Sequence, residues 1–244
     1  MGTLNERTLV WAHRGASAYA PENTLEAFRL AVDMDADGVE LDVHLTRDGA
    51  VVVCHDDRID RTSDGTGAIA DMTLAELRQY HFSGRFKNAY PDARIPTLQE
   101  VYETLLPSRL TVNVEIKASG ADFVQKVLGV AEACGMRDRV IYSSFNHQNL
   151  KDALLFDPAA QTAPLYGEGL SDAAEYAKKI GCRALHPHFN ELYHVPAYLE
   201  KAHALGIRVH PWTVDDESNL RKLTEMGVDA LISNRPDIAL KFVK

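Results

Sequence analysis

Cysteine is scarce in this chain: Cys54, Cys134 and Cys182 are the whole supply among 244 residues. They are odd in number, far apart and set among apolar neighbours. They therefore read as reduced core residues of a cytoplasmic protein, not as disulfides or zinc ligands. Basic charge is also short. A formal net charge of −9 argues against a general nucleic-acid or anionic-membrane surface, while leaving room for a local basic pocket. No apolar run is long enough to span a bilayer. The stretch from Met1 to Arg7 lacks the basic-then-apolar pattern of a signal peptide. A glycine-rich first turn is missing too, because Gly15 alone does not make one. No serine or cysteine is placed as a clear nucleophile.

What is present centres on Val39-Glu40-Leu41-Asp42-Val43-His44-Leu45. Strict alternation makes it a strand with Glu40 and Asp42 on one face. Two such carboxylates repel, and burying them unpaired would cost several kcal/mol each, so a cation should sit between them. The competing reading is the exposed polar face of a half-buried strand. Asp48-Gly49 follows as a hairpin signal, with Val51 to Cys54 returning antiparallel. With Asp48 and Gly49 as the two turn residues, Arg47 faces Ala50 and His55 falls opposite Asp42.

Before this strand, Leu9 to Ala12 is a short apolar strand ending in His13-Arg14-Gly15. Asn23 with Glu26 then reads as an N-cap and capping box. After the hairpin, residues 56–96 are too long for an ordinary loop. They carry a Thr73–Glu76 capping box and an aromatic-rich tail. Thr97–Glu100 is a further box. From there strands and helices alternate, with strands expected at 110–116, 140–143, 162–166, 184–187, 207–212 and 230–232. Leaving out the hairpin return strand, the count is eight β/α units. That is the signature of an α/β fold of the TIM (β/α)8 barrel type, here with an insertion after the second strand. A doubly wound open sheet is the alternative.

In a barrel the site lies where strands end, which selects His13, Arg14, Glu40, Asp42, Glu115, Lys117, His186, His188 and Trp212. Glu115 and Lys117 share a strand face with Asn113, next to the Glu40/Asp42 strand. Three converging carboxylates without a thiol suit Mg²⁺ or Ca²⁺. The other reading of Glu115 is a structural salt-bridge network with Lys117 or Arg14. Arg14 and Lys117 suit a phosphate. His13 and His55 could serve as acid and base. His44, assigned to the apolar face of its strand, is expected to be structural.

His13-Arg14-Gly15, Pro21-Glu22-Asn23-Thr24, Glu40-Leu41-Asp42-Val43, Asp48-Gly49, His55-Asp56, Asp60-Arg61-Thr62, Pro96-Thr97-Leu98, Val114-Glu115-Ile116-Lys117 and Asn234-Arg235-Pro236 form an ordered series. Together they resemble the glycerophosphodiester phosphodiesterases, most closely the compact, single-domain cytoplasmic bacterial members. The resemblance implies hydrolysis of a small glycerophosphodiester to sn-glycerol 3-phosphate and an alcohol. It implies one divalent cation, Mg²⁺ or Ca²⁺, on Glu40, Asp42 and Glu115. It makes His13 and His55 the acid/base pair, and gives Arg14 and Lys117 the phosphate. Residues 56–96 become the family's insertion. It also supports a cyclic phosphate route, since the substrate's 2-hydroxyl is a nucleophile at high effective molarity. Neither nucleic acid nor stable membrane association is expected. Two other functions stay open: phospholipase D-like cleavage of lysophospholipids, and phosphodiester binding without turnover. Trp212 is expected to pack on the glycerol carbons or to close the barrel. His186 and His188 are expected to line the site or to be structural.

Overall fold

Apolar β-formers bounded by Gly, Asp or Pro place nine strands within residues 7–243, the part that the computed structural model describes. They are β1 (Leu9–His13), β2 (Gly38–Leu45), β3 (Val51–Val53), β4 (Thr111–Ile116), β5 (Val140–Ser144), β6 (Gln161–Tyr166), β7 (Ala184–Pro187), β8 (Arg208–Val209) and β9 (Ala230–Ser233). Between them run α1 (Leu25–Asp33), α2 (Leu74–Leu77), α3 (Leu98–Leu105), α4 (Ala121–Ala133), α5 (His147–Phe156), α6 (Ala173–Lys179), α7 (Glu191–His194), α8 (Tyr198–Ala204), α9 (Glu217–Met226) and α10 (Pro236–Val243). The reading of the N-terminus concerned mainly residues 1–6, which lie outside the described residues.

Apart from β3, neighbouring strands are parallel and follow chain order, β8-β7-β6-β5-β4-β2-β1-β9. There is no reversal of order, so the open doubly wound sheet is excluded. The eight strands form a nearly closed TIM barrel. The last seam is irregular. Pro211 has no N–H to give to a ladder, and β8 shrinks to two residues where six were expected. Single bonds close the gap, from Asp229 N to Val209 O at 3.0 Å and from Ile232 N to Pro211 O at 3.1 Å. No described helix is long and apolar enough to cross a membrane.

The hairpin differs from expectation by one residue. Val43 faces Val53 and Leu45 faces Val51, so Cys54, not His55, lies opposite Asp42. The turn holds three residues, with Gly49 in the left-handed region at φ 84°, which is the other common hairpin geometry. The Thr46 hydroxyl bonds Asp48 at 2.6 Å, and the same carboxylate caps Leu74 N at 3.1 Å. Contacts with α2 thus choose the longer turn.

Helix α1 also departs from the expected cap. Thr24, not Asn23, accepts from Ala27 N. Asn23 takes a positive φ of 58° and sends its side chain elsewhere. The Thr73–Glu76 and Thr97–Glu100 boxes both form. Residues 56–96 carry α2 and two 3₁₀ turns. Their own apolar cluster joins Ile59, Ile69, Leu77, Phe82 and Ile95 to Val52 and Cys54. Cys54 and Cys182 are buried and Cys134 is half-buried; all three are free thiols.

Gly15 fixes how the chain leaves β1. Its φ is 77°, and a Cβ there would lie 2.7 Å from the Ala27 carbonyl carbon. A left-handed L-residue costs about 1–2 kcal/mol, and overpacking roughly 1–3 kcal/mol more. Gly15→Ala should therefore lower stability by roughly 2–5 kcal/mol. A urea midpoint within error of the parent's would refute that.

Candidate active site

Strand parity builds the centre of the site. In the β2/β4 register Asp42 faces Glu115 and Glu40 faces Asn113, so the acidic faces of both strands meet at one end of the barrel. Oxygens of Glu40, Asp42 and Glu115 lie within 4.8 Å of one another. The three residues are 4%, 1% and 8% exposed, which removes the half-buried polar-face reading.

Two cations serve this cluster. Arg14 Nε is 3.6 Å from Asp42, and Arg14 N donates to Glu40 at 3.0 Å. Lys117 Nζ is 2.9 Å from Glu115 and 3.5 Å from Asp42. The salt-bridge network is therefore real, but it leaves three carboxylates against two cations. The titration directions follow. Burial, then Asp42 and Glu115, holds Glu40 well above the usual carboxylate range. Burial, then Asp42, pushes Glu115 up to about 7. Burial would also raise Asp42, but Arg14 and Lys117 outweigh it and keep that carboxyl low. One more positive charge would relieve Glu40 and Glu115. Asp42 Oδ1 is buried without a hydrogen bond, and an all-oxygen set suits a hard cation. The residues fit a divalent ion.

The histidines are held by different partners. His13 Nδ1 is 2.7 Å from Asn234 Oδ1. The Asn234 amide nitrogen donates to Asp215 at 2.6 Å, so its oxygen faces the ring and Nδ1 carries the proton. Nε2 is left towards Glu40, 3.8 Å away. Burial, then Arg14, pushes His13 down to about 4, so it is neutral near pH 7. His55 follows β3, with Nδ1 2.6 Å from Asp56. Despite the register shift it lines the same pocket of about 80 Å³ as His13, Arg14, Glu40, Glu115 and Lys117. Its backbone carbonyl accepts from His44 Nε2 at 3.2 Å. His44 shares the parity of Glu40 and Asp42, which corrects its assignment to the apolar face.

Trp212 lines the pocket beside Phe145, their rings edge to face at 5.7 Å. Its Nε1 donates to the His186 carbonyl at 2.8 Å. The His186 side chain lies outside the pocket. It is fully buried and 2.9 Å from His210, and burial pushes it down to about 3. His188 packs edge-on against Trp212. Neither side chain lines that pocket.

Several residues that shape the site had been given no such role. Asn23 Nδ2 donates to Asp42 Oδ2 at 2.9 Å. A chain of hydrogen bonds runs from His55 through Asp56 to Arg61 at 2.7 Å, on to Glu22 at 2.8 Å, and back to Arg14 at 2.9 Å. All of these sit in the short motifs quoted above; the motifs were the available signal.

The sequence profile of the Glycerophosphoryl diester phosphodiesterase family matches residues 13–238. A glycerophosphodiester phosphodiesterase of Caldanaerobacter subterraneus subsp. tengcongensis is 36% identical over 241 residues, 98% of each chain. One from Bacillus subtilis is 31% identical, over 98% of this chain and 87% of its own. Among solved structures, an Oleispira antarctica phosphodiesterase in complex with the product sn-glycerol-3-phosphate superposes with a TM-score of 0.90. It is 31% identical, covering 97% of this chain and 96% of its own. The Thermotoga maritima glycerophosphodiester phosphodiesterase gives 0.81 at 29% identity, covering 97% and 99%. With the family profile spanning its whole catalytic end, the chain is a phosphoric diester hydrolase belonging to the glycerophosphoryl diester phosphodiesterase family.

Proposed function

We propose that the chain hydrolyses glycerophosphodiesters to sn-glycerol 3-phosphate and an alcohol, using His13 and His55 as its acid/base pair. The observation that carries this is the single pocket in which both imidazoles meet Glu40, Glu115, Arg14 and Lys117. The product bound to the Oleispira antarctica relative supports the substrate class. Glu40, Asp42 and Glu115 would hold one Mg²⁺ or Ca²⁺, which supplies charge neutralisation at the phosphoryl group. Arg14 and Lys117 hold phosphoryl oxygens, and Trp212 packs against the glycerol carbons. We read the whole chain as one cytoplasmic barrel domain, with residues 56–96 inserted in it.

The protons then have a path. One histidine takes the proton of the substrate 2-hydroxyl, whose oxygen forms a bond to phosphorus. The bond to the alcohol oxygen breaks, and the other histidine protonates that oxygen. Water opens the resulting five-membered cyclic phosphate with the roles reversed. Ring closure within the substrate has a high effective molarity, about 10⁵ M or more when well oriented. After chelation, glycerol 3-phosphate release from glycerophosphocholine should stop, and should return with Mg²⁺ or Ca²⁺. A substrate whose 2-hydroxyl is methylated should bind and stay intact, while the cyclic phosphate is hydrolysed. Cleavage of the methylated substrate near the parent rate would exclude the cyclic route.

A further inference from the structure

Two cavities meet at His13 and Arg14. The inner one, about 80 Å³, is lined by His55, Glu40 and Glu115. The outer one, about 500 Å³, lies between the loop after β1 and the stretch from Arg61 to Phe86. The latter is tied down at two places. Arg61 binds Glu22 at 2.8 Å, and Arg85 donates to the carbonyls of Ser17 and Ala18 at 3.3 and 3.4 Å. In an in-line displacement the attacking and leaving oxygens lie on opposite sides of phosphorus. With the glycerol inside beside His55 and the phosphoryl group at Arg14, the leaving alcohol points into the outer cavity.

The charge of that cavity is lopsided. Its acids are already engaged: Glu22 accepts from Arg14 and Arg61, and Asp215 accepts from Ser233 and Asn234. Arg85 and Arg235 line the same space, and neither forms an ion pair among the described residues. Arg85 stacks on Phe86 at 4.8 Å, which holds its guanidinium in place. Near Arg235 the Tyr19 hydroxyl donates to Asp237 at 2.7 Å, and the Asp237 and Glu217 charges act on its guanidinium. In a chain of net charge −9, two guanidinium groups without a direct ion pair among the described residues, both on the wall that receives the leaving group, stand out. They match the fork geometry of a phosphate or carboxylate.

We propose that this outer cavity is the head-group subsite, and that Arg85 and Arg235 select leaving alcohols that carry an anionic group. This rests on the phosphodiesterase reading above. Two matched pairs of substrates test it. Bis(glycerophospho)glycerol and glycerophosphoglycerol share the same leaving hydroxyl and differ by a distal glycerophosphoryl group, which carries the added negative charge. Glycerophosphoserine and glycerophosphoethanolamine differ by a carboxylate. In the parent, kcat/KM should favour the charged member of at least one pair by roughly tenfold, the size expected of a charge-assisted hydrogen bond. In the Arg85→Gln/Arg235→Gln double variant that ratio should collapse towards one through loss on the charged substrate, and Arg85→Lys should restore part of it. Thermal melts check that the double variant is folded. Parent ratios near one in both pairs would overturn the proposal and leave the phosphodiesterase reading standing. A preference that persists in a folded double variant would overturn the role of the arginines. Failure of the parent to cleave any of the four would overturn both readings.

Discussion

His55→Ala should lose about 10² to 10⁴-fold in turnover, the usual consequence of deleting a positioned acid or base, with little change in melting temperature. The side chain is 31% exposed and its side-chain partner is Asp56. When the imidazole goes, Asp56 keeps its 2.7 Å pair with Arg61, and that hydrogen bond already pushes Asp56 down to about 2. No buried group is orphaned, so the expected stability loss is below about 1 kcal/mol. A histidine that merely packed the hairpin would give the reverse pattern: a lower melting temperature with specific activity intact. Measuring both on one sample separates the two roles.

Glu40→Gln should produce a crossing. A carboxyl whose folded pKa is raised stabilises the fold only while protonated; that contribution is lost as pH rises through the folded value. Above that folded value the ionised Glu40 is held beside Asp42 and Glu115 against its preference. Without divalent cation, Glu40→Gln should therefore melt above the parent. With cation at about a hundred times its Kd, linkage stabilises the parent by about 2.7 kcal/mol, some 5–10 °C for a chain of this size. The variant should gain much less and lose activity with it. Parallel melting curves in both conditions, with activity unchanged, would rule out a three-carboxylate cation site. Glu115→Gln should behave similarly, except that it also gives up the 2.9 Å pair with Lys117.

The barrel was legible because period-two strands and capped helices alternate along the chain, and each signal is local. The carboxylate cluster was legible for a related reason. Parity placed Glu40 and Asp42 together, and chain order placed the Glu115 strand beside them. What failed was whatever depends on contacts distant in sequence. The hairpin register turned on Asp48 reaching Leu74. Asn23 looked like a cap because Asx caps are common, but a buried Asp42 bound it more strongly than a helix end would. His44 was misplaced although parity alone would have located it. The short β8 followed from Pro211, which was visible in the sequence but was not weighed. The path from His55 to Arg14 joins the stretch 55–61 to the stretch 14–22, and no spacing rule reports such a circuit.

That circuit sets a boundary for loop grafting. The covering stretch begins, in sequence, with the partners of the reactive groups: Asp56 holds His55, and Arg61 leads through Glu22 to Arg14. Exchanging all of 56–96 for a foreign loop would carry off both anchors and disable chemistry together with selectivity. A graft that starts after Leu77 and ends before Ile95 leaves the anchors, and the Leu74 contact that sets the hairpin, in the host and varies only the roof. New head-group preferences could then be installed by transplanting a contiguous piece of chain while the catalytic apparatus stays behind.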